Sequence, residues 1–327
     1  MKRWLCFFCI LASFLYGEIG RGGYAGNFFR MGLGSSAWGV GGGSPAFVEN
    51  GYTAYVNPAG PALLSQHYVA FSTESMALDR QRFWAGYAQG ITLKPPSDST
   101  GASSQKLPPF KAGFAVGWLG AGITHIDARD FDGIHTGMLS SWEHALYFCF
   151  SIAPHPRLAL GAGSKILYQR LGNVTESGEA VVAKGFGFDL GILWKPSDNF
   201  EMGASLHDLQ SRYTWNTQKY YEQGPQTTDS FPQMLRMGGV WKTYGQRIWM
   251  IAQIEKIQFF PWSANGGIQF EIQPGILLRT GLYARGWTLG FGFHRTIFSK
   301  NTGFDYAFVS DAIAPGGTHV FSWEFAF

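Results

Sequence analysis

From Gln66 to Phe327 apolar and polar positions alternate with a period of two, in runs of roughly ten residues separated by turn residues. In Gly185 to Trp194, "GFGFDLGILW", Phe186, Phe188, Leu190, Ile192 and Trp194 fall on one face; Gly185, Gly187, Asp189, Gly191 and Leu193 fall on the other. The last run, "GTHVFSWEFAF", repeats the arrangement, with Phe321, Trp323, Phe325 and Phe327 opposed by Ser322, Glu324 and Ala326. A soluble sandwich alternates too, but it hides its apolar face against a second sheet. Here nearly every run carries a wide aromatic face and a Gly-rich, sparsely charged one. That combination suits a barrel with lipid outside and a polar or plugged lumen inside.

The predicted strands are 66–76, 80–91, 111–124, 141–153, 157–171, 181–195, 199–215, 231–243, 246–257, 262–273, 275–284, 286–297, 302–310 and 317–327. The count is fourteen, and single-chain bacterial barrels have an even number of strands. If both barrel ends of the chain lie on one side, the connections after every second strand should be tight. Five are: "PHP" near Pro154, "KPSDN" near Pro196, "TYGQ" near Gly245, "QPG" at Gln273 and "SKN" near Lys300. The opposite set holds the longer connections, such as His125 to Ser140 and Asn216 to Ser230. The Pro/Ser-rich stretch from Thr92 to Phe110 breaks the rule and reads as a flexible insertion.

Composition agrees with this picture. Only 14% of residues are charged and 17% are aromatic, with 12 Trp and 44 Gly, against about 25% charged in an ordinary soluble domain. Past the N-terminus no run of about 18 apolar residues exists, so membrane-spanning helices are not expected. Residues 1–17 read as a signal peptide: Lys2 and Arg3, an apolar stretch from Trp4 to Leu15, then Gly17. Cys6 and Cys9 lie within it, so their C-x-x-C spacing is not a redox motif, and Cys149 is left with no partner for an internal disulfide. The formal charge is +3, or +1 without Lys2 and Arg3, which gives no electrostatic footprint for nucleic acid.

Few motifs carry chemistry. "GLGSSA" (Gly32 to Ala37) spells a dinucleotide fingerprint, but it follows no apolar strand and is not expected to open a helix. "DARDFDG" (Asp127 to Gly133) lacks the acidic spacing of a calcium loop and reads as a solvated turn. The eight His, with His125 and His135 in one loop, show no metal-ligand spacing on a common element. No nucleophile elbow or triad is evident, so no catalytic residue, metal site or cofactor is expected. Asp189, Glu143 and Arg279 should face the lumen, where they could tune passage. Trp323, Phe325 and Phe327 form a terminal aromatic pattern that the barrel-assembly machinery would engage as an insertion signal.

Three blocks resemble the PorV/FadL-type outer-membrane barrels, including their PorV/PorQ-like branch. They are "FFRMGLGSSAWGVGGGSPAF" (Phe28 to Phe47), "AYVNPAGPALL" (Ala54 to Leu64), and the final hairpin "GFDYAFVSD" with "GTHVFSWEFAF" (Gly303 to Phe327). The middle of the chain matches only in hairpin rhythm. Ser35-Ser36 stands where the family usually has Ala-Arg, and Pro61 where Leu is common. The resemblance implies an all-β transmembrane antiparallel barrel of fourteen strands, residues 66–327, in the outer membrane of a diderm bacterium, with residues 18–65 folded into the lumen as a plug. Within that plug Asn57 would cap a short helical turn beginning at Pro58, and Ala59 and Gly60 would let the turn lie against the wall. Asn57, Pro58, Ala59 and Gly60 are therefore the candidate plug or ligand residues.

The implied function is plug-gated binding or passive transport of hydrophobic small molecules. An accessory role in a protein secretion system, or a purely structural role, are the alternatives. The expected partners are outer-membrane lipid, the assembly machinery, and either a hydrophobic ligand or secretion-system proteins. The lumen faces read as small and mixed.

Overall fold

The computed structural model describes residues 24–48, 50–93, 110–175, 178–218, 224, 226–283, 286–297, 300–311 and 316–327. The expected signal peptide and most of the Thr92 to Phe110 insertion lie outside these residues. The described strands are β1 (His67–Met76), β2 (Arg80–Leu93), β3 (Phe110–Arg129), β4 (His135–His155), β5 (Leu158–Gly172), β6 (Val181–Ser197), β7 (Phe200–Asn216), β8 (Gln226–Ser230), β9 (Met234–Thr243), β10 (Ile248–Ile257), β11 (Trp262–Gln273), β12 (Ile276–Tyr283), β13 (Gly286–Ile297), β14 (Lys300–Val309) and β15 (Thr318–Ala326).

All pairings are antiparallel, between chain neighbours except for β7 with β9, and β1 closes on β15 from Tyr68↔Ala326 to Ser75↔His319. The result is a closed barrel of fourteen staves. The fifteenth strand arises because β7 pairs with β9 over Phe200 to His207 and with β8 over Arg212 to Asn216. β8 and β9 thus share one stave, broken at Phe231–Gln233, where Pro232 has no N–H to give. The eighth predicted strand is therefore a composite that starts inside the presumed Asn216 to Ser230 loop.

The turns at Pro156–Arg157, Asp198–Asn199, Tyr244–Arg247 and Pro274–Gly275 are tight, and they mark one end of the barrel. At the other end the presumed His125 to Ser140 connection is largely strand. Ile126 pairs with Leu139 and Arg129 with His135, beyond the last pairings of β3 with β2 and of β4 with β5. This makes a hairpin standing clear of the wall. Alternation in sequence cannot distinguish it from a loop, because both of its faces meet solvent and neither need be apolar. At its tip Asp127 binds Arg129 Nε at 2.8 Å and His135 Nδ1 at 2.5 Å. The hydrogen bond from His135, then that from Arg129, hold the Asp127 carboxyl below its ordinary range.

The predicted faces are those observed. Phe186, Phe188, Leu190, Ile192 and Trp194 point outward, each 41–50% exposed, whereas Asp189 and Leu193 are buried. Trp323, Phe325 and Phe327 point outward as well, and Phe327 exchanges two 3.0 Å backbone hydrogen bonds with His67 at the closing seam. An exposed apolar face continuous around a closed sheet has all of its backbone groups paired within the wall, as hydrocarbon requires. Among the described residues no helix is long and apolar enough to cross a membrane.

Inside the wall lie the described residues before β1, 24–48 and 50–66. They contain a 3-10 turn (Asn27–Phe29), α1 (Ser35–Gly39), α2 (Thr53–Val56) and a second 3-10 turn (Gly60–Leu63). α1 packs on β12–β15, and the Gly60–Leu63 turn packs on β2–β5. "GLGSSA" does open a helix, but only α1, a single turn with its Ser35 side chain buried against β15.

Candidate functional site

The inner face of the wall carries charges that alternation had placed there, and the structure pairs them. Glu74 on β1 binds Arg82 on β2 at 2.9 Å. Lys165 on β5 lies 2.9 Å from Asp189 on β6 and 2.8 Å from Asp208 on β7. Lys242 on β9 binds Glu201 on β7 at 2.9 Å, and Arg236 on β9 binds Glu255 on β10 at 3.2 Å. Arg279 on β12 reaches Asp305 on β14 at 2.5 Å, across Gly292 on the strand between them. A side chain at Gly292 would occupy the space of that contact. Burial of a charge is tolerable only with such a partner. Asp189 and Arg279, expected to face the lumen where they could tune passage, do lie on the inner face, but as buried, ion-paired groups of the wall. Glu143 accepts from the Tyr213 hydroxyl at 3.1 Å.

The N-terminal segment is fastened to this wall around its circumference. Ser35 donates its backbone N–H to Ser322 Oγ at 2.8 Å and its hydroxyl to the Val320 carbonyl at 2.9 Å. Ser35 thus ties the segment to β15 twice. Arg82 donates to the Gly32 carbonyl at 2.9 Å, Thr288 to the Gly39 carbonyl at 3.1 Å, and Arg236 to the Arg30 carbonyl at 2.6 Å. Tyr52 donates to the Phe71 carbonyl at 3.0 Å.

Asn57 is the most connected of the four candidate residues. Its Oδ1 accepts the Ala59 N–H at 3.0 Å, a local turn rather than the expected helix cap, because the N-cap of the Gly60–Leu63 turn is Ala59, with no side-chain cap. Its Nδ2 donates to the carbonyls of Pro45 at 2.8 Å, Ile192 at 3.1 Å and Ala204 at 3.3 Å. The helical turn begins at Gly60 rather than Pro58, with the Gly60 N–H bonded to the Asn57 carbonyl at 3.0 Å. Ala59 is fully buried.

Close approach to the wall comes from the wall side. A methyl on Gly161 would overlap the Pro58 carbonyl, and one on Gly113 would overlap the Pro61 carbonyl. A methyl on Gly60 itself would instead press on Thr53 and Val48 within the segment. The inward glycines of β3 and β5 are thus close-approach positions that the sequence displayed but did not single out.

Two environments flank the segment. Toward the end away from the tight turns, Phe29, Leu33, Tyr52 and Tyr55 pack on Trp84, Leu119, Tyr147, Leu167, Tyr213 and Phe231. Tyr55 meets Trp84 and Tyr147 edge-to-face, at centroid distances of 6.2 and 5.7 Å. This half of the lumen is aromatic, contrary to the expectation of small, mixed faces. Its large residues sit on β2–β7 singly, among glycines, which obscured them. Toward the tight turns lies a hollow of about 670 Å³ between Phe47, Asn50 and Tyr52 of the segment and Gln269, His294 and Glu324 of the wall. Among the described residues no group of three His, Cys, Asp or Glu stands together as a metal site.

No protein-family model matches the chain, and no curated protein matches it in sequence. Solved structures do match. The Pseudomonas putida toluene transporter TodX superposes with a TM-score of 0.57 at 12% identity, over 90% of this chain and 97% of that one. A deltaS2S3 mutant of TodX, described as a monoaromatic hydrocarbon channel, gives 0.57 at 14% identity, over 91% and 99%. A Pseudomonas aeruginosa FadL homologue gives 0.54 at 12%, over 91% and 99%. The protein has the fold of the FadL/TodX-type barrels.

Proposed function

We propose that the protein resides in the outer membrane of a diderm bacterium and binds or passively conducts hydrophobic small molecules, with residues 24–64 acting as a plug. The observation that carries this reading is the aromatic half-lumen: Trp84, Tyr147 and Tyr213 present apolar faces inside the barrel, and the plug's own Phe29, Leu33 and Tyr55 occupy them. A small apolar solute can replace those side chains at little cost, because it offers the same surface. The solved barrels of this fold whose names state toluene or monoaromatic hydrocarbon transport lend support at the level of solute class.

In this account a solute enters from the end away from the tight turns and displaces Phe29, Leu33 and Tyr55 from the cluster. It leaves through the hollow below the plug, on the side we assign to the periplasm. A sideways exit between β6 and β7 is disfavoured, because Lys165, Asp189 and Asp208 stand behind that wall and would meet an apolar solute with buried charge. No chemistry on the solute is invoked; the protein is a channel rather than an enzyme.

A second reading, an accessory barrel of a protein secretion system in the PorV manner, is favoured by one feature. The free-standing hairpin carries Phe131 and Ile134 exposed at its tip, clear of the lipid-facing wall. Native mass spectrometry of the protein extracted gently from its membrane separates the two. A co-purifying apolar molecule supports transport, whereas a co-purifying exported protein supports the accessory role.

A further inference from the structure

One hollow on the outer surface of the barrel is lined by polar and charged side chains. Of the three register slips between β6 and β7, two lie between Phe186 and Phe188 and between Phe188 and Leu190, and β7 carries an extra residue at each of these. Asp208 and Gln210 adopt left-handed backbone there, with φ of 64° and 57°. The slips turn Asp208 inward to Lys165 and leave Gln210 and Arg212 facing out. Gly185 allows β6 to stay close, since a methyl on it would overlap the Arg212 carbonyl. A hollow of about 370 Å³ results, lined by Lys184, Gly185, Phe186, Gln210, Arg212 and Thr214.

Its chemistry is one-sided. Two cations and two neutral polar groups line it, and among the described residues neither Lys184 nor Arg212 has a carboxylate partner. Every inward cation named above is paired, so these two stand apart. Their position is also specific: Phe186 begins the exposed apolar ladder that runs down β6, and Lys184 is the next outward residue above it. Arg170 and Tyr168 of β5 face the same way, with Tyr168 directly opposite Lys184. Cations at the height where lipid tails give way to headgroups complement an anionic headgroup, and guanidinium suits a phosphate in two-pronged geometry.

We propose that this hollow holds the phosphate of a lipid in the leaflet opposite the tight-turn end, its acyl chains lying along Phe186 and Phe188. The proposal rests on the membrane-barrel reading above, and its test is separable from it. Folded protein in neutral detergent would be titrated with a bisphosphorylated diglucosamine lipid, with the same lipid dephosphorylated, and with inorganic phosphate. Retention would be read by native mass spectrometry and folding by the heat-dependent gel shift. The phosphorylated lipid should be retained, and Lys184→Gln with Arg212→Gln should weaken it about tenfold or more. Lys300→Gln, a cation at the other end, should leave binding unchanged. Equal retention of the dephosphorylated lipid, or an unaffected double variant, overturns the proposal. Inorganic phosphate binding as well as the lipid also overturns it, in favour of a free-anion site. A protein that shows no heat-dependent shift contradicts the barrel reading instead.

Discussion

Asn57 Nδ2 donates to the Ile192 carbonyl at 3.1 Å, bonding a side chain of the lumenal segment to a backbone group of the wall strand β6. Oδ1 of the same amide accepts the Ala59 N–H and closes a local turn there. One residue therefore both shapes the turn and anchors it, so its loss should loosen the plug without opening the barrel. Asn57→Ala leaves three carbonyls short of a donor, each a loss of about 1 kcal/mol. The variant should keep its heat-dependent gel shift while protease cleavage between residues 24 and 64 rises; unchanged cleavage would remove Asn57 from the anchoring role.

The wall glycines make the complementary prediction. Gly161→Leu places a side chain on the Pro58 backbone. Overpacking of this kind costs about 1–3 kcal/mol. Because β5 itself has no reason to unpair, the strain should expel the turn rather than break the barrel. Labelling of a cysteine at position 59 from the tight-turn side, in a Cys149→Ser background, should rise in Gly161→Leu and not in Gly133→Leu. Gly133 has nothing within 4 Å of an added methyl, although its φ of 79° strains that turn locally.

The buried pair Glu74–Arg82 should show strong coupling. Removing either partner strands the other charge, at a cost of about 3–5 kcal/mol, whereas replacing both with apolar residues costs much less. Urea unfolding of Glu74→Gln, Arg82→Met and the double variant tests this. A double variant as unstable as the sum of the singles would mean the two groups do not interact.

At the hairpin tip the sign of the pH dependence is set by Asp127. Its carboxyl is held low by His135 and Arg129, so the tip contacts are intact above the ordinary carboxylate range and are lost as pH falls through the lowered value. Amide exchange at residues 126–139 should accelerate on acidification below that value, and the change should vanish in Asp127→Asn.

Phe327 sits at the seam where β1 meets β15. If Trp323, Phe325 and Phe327 form an insertion signal, deleting Phe327 should sharply reduce assembled protein in cells while refolding in detergent changes little. An equal loss in both settings would make its role structural instead.

Much of the fold was legible because a barrel wall has two solvents, and each strand must satisfy both. Phe186 to Trp194 states that requirement in ten residues. The β3–β4 hairpin tip and β8 were not legible, since neither has a buried face to impose alternation. That residues before β1 lie inside the wall was implied only by resemblance, yet their contact line was written in the wall as inward glycines at 113 and 161. The pairing of Lys165 with Asp208 could not be read, because it depends on a bulge that moves Asp208 off the simple alternation.

The central claim is that apolar solutes pass only when the lumenal segment shifts. Ser35 and Ser322 are already in contact, so a Ser35→Cys, Ser322→Cys pair in a Cys149→Ser background can lock the segment to β15. Accumulation of an apolar fluorophore by cells carrying this barrel would be compared before and after reduction of the disulfide. The account predicts little uptake when the lock is oxidised and restored uptake on reduction. Equal uptake in both states would contradict it.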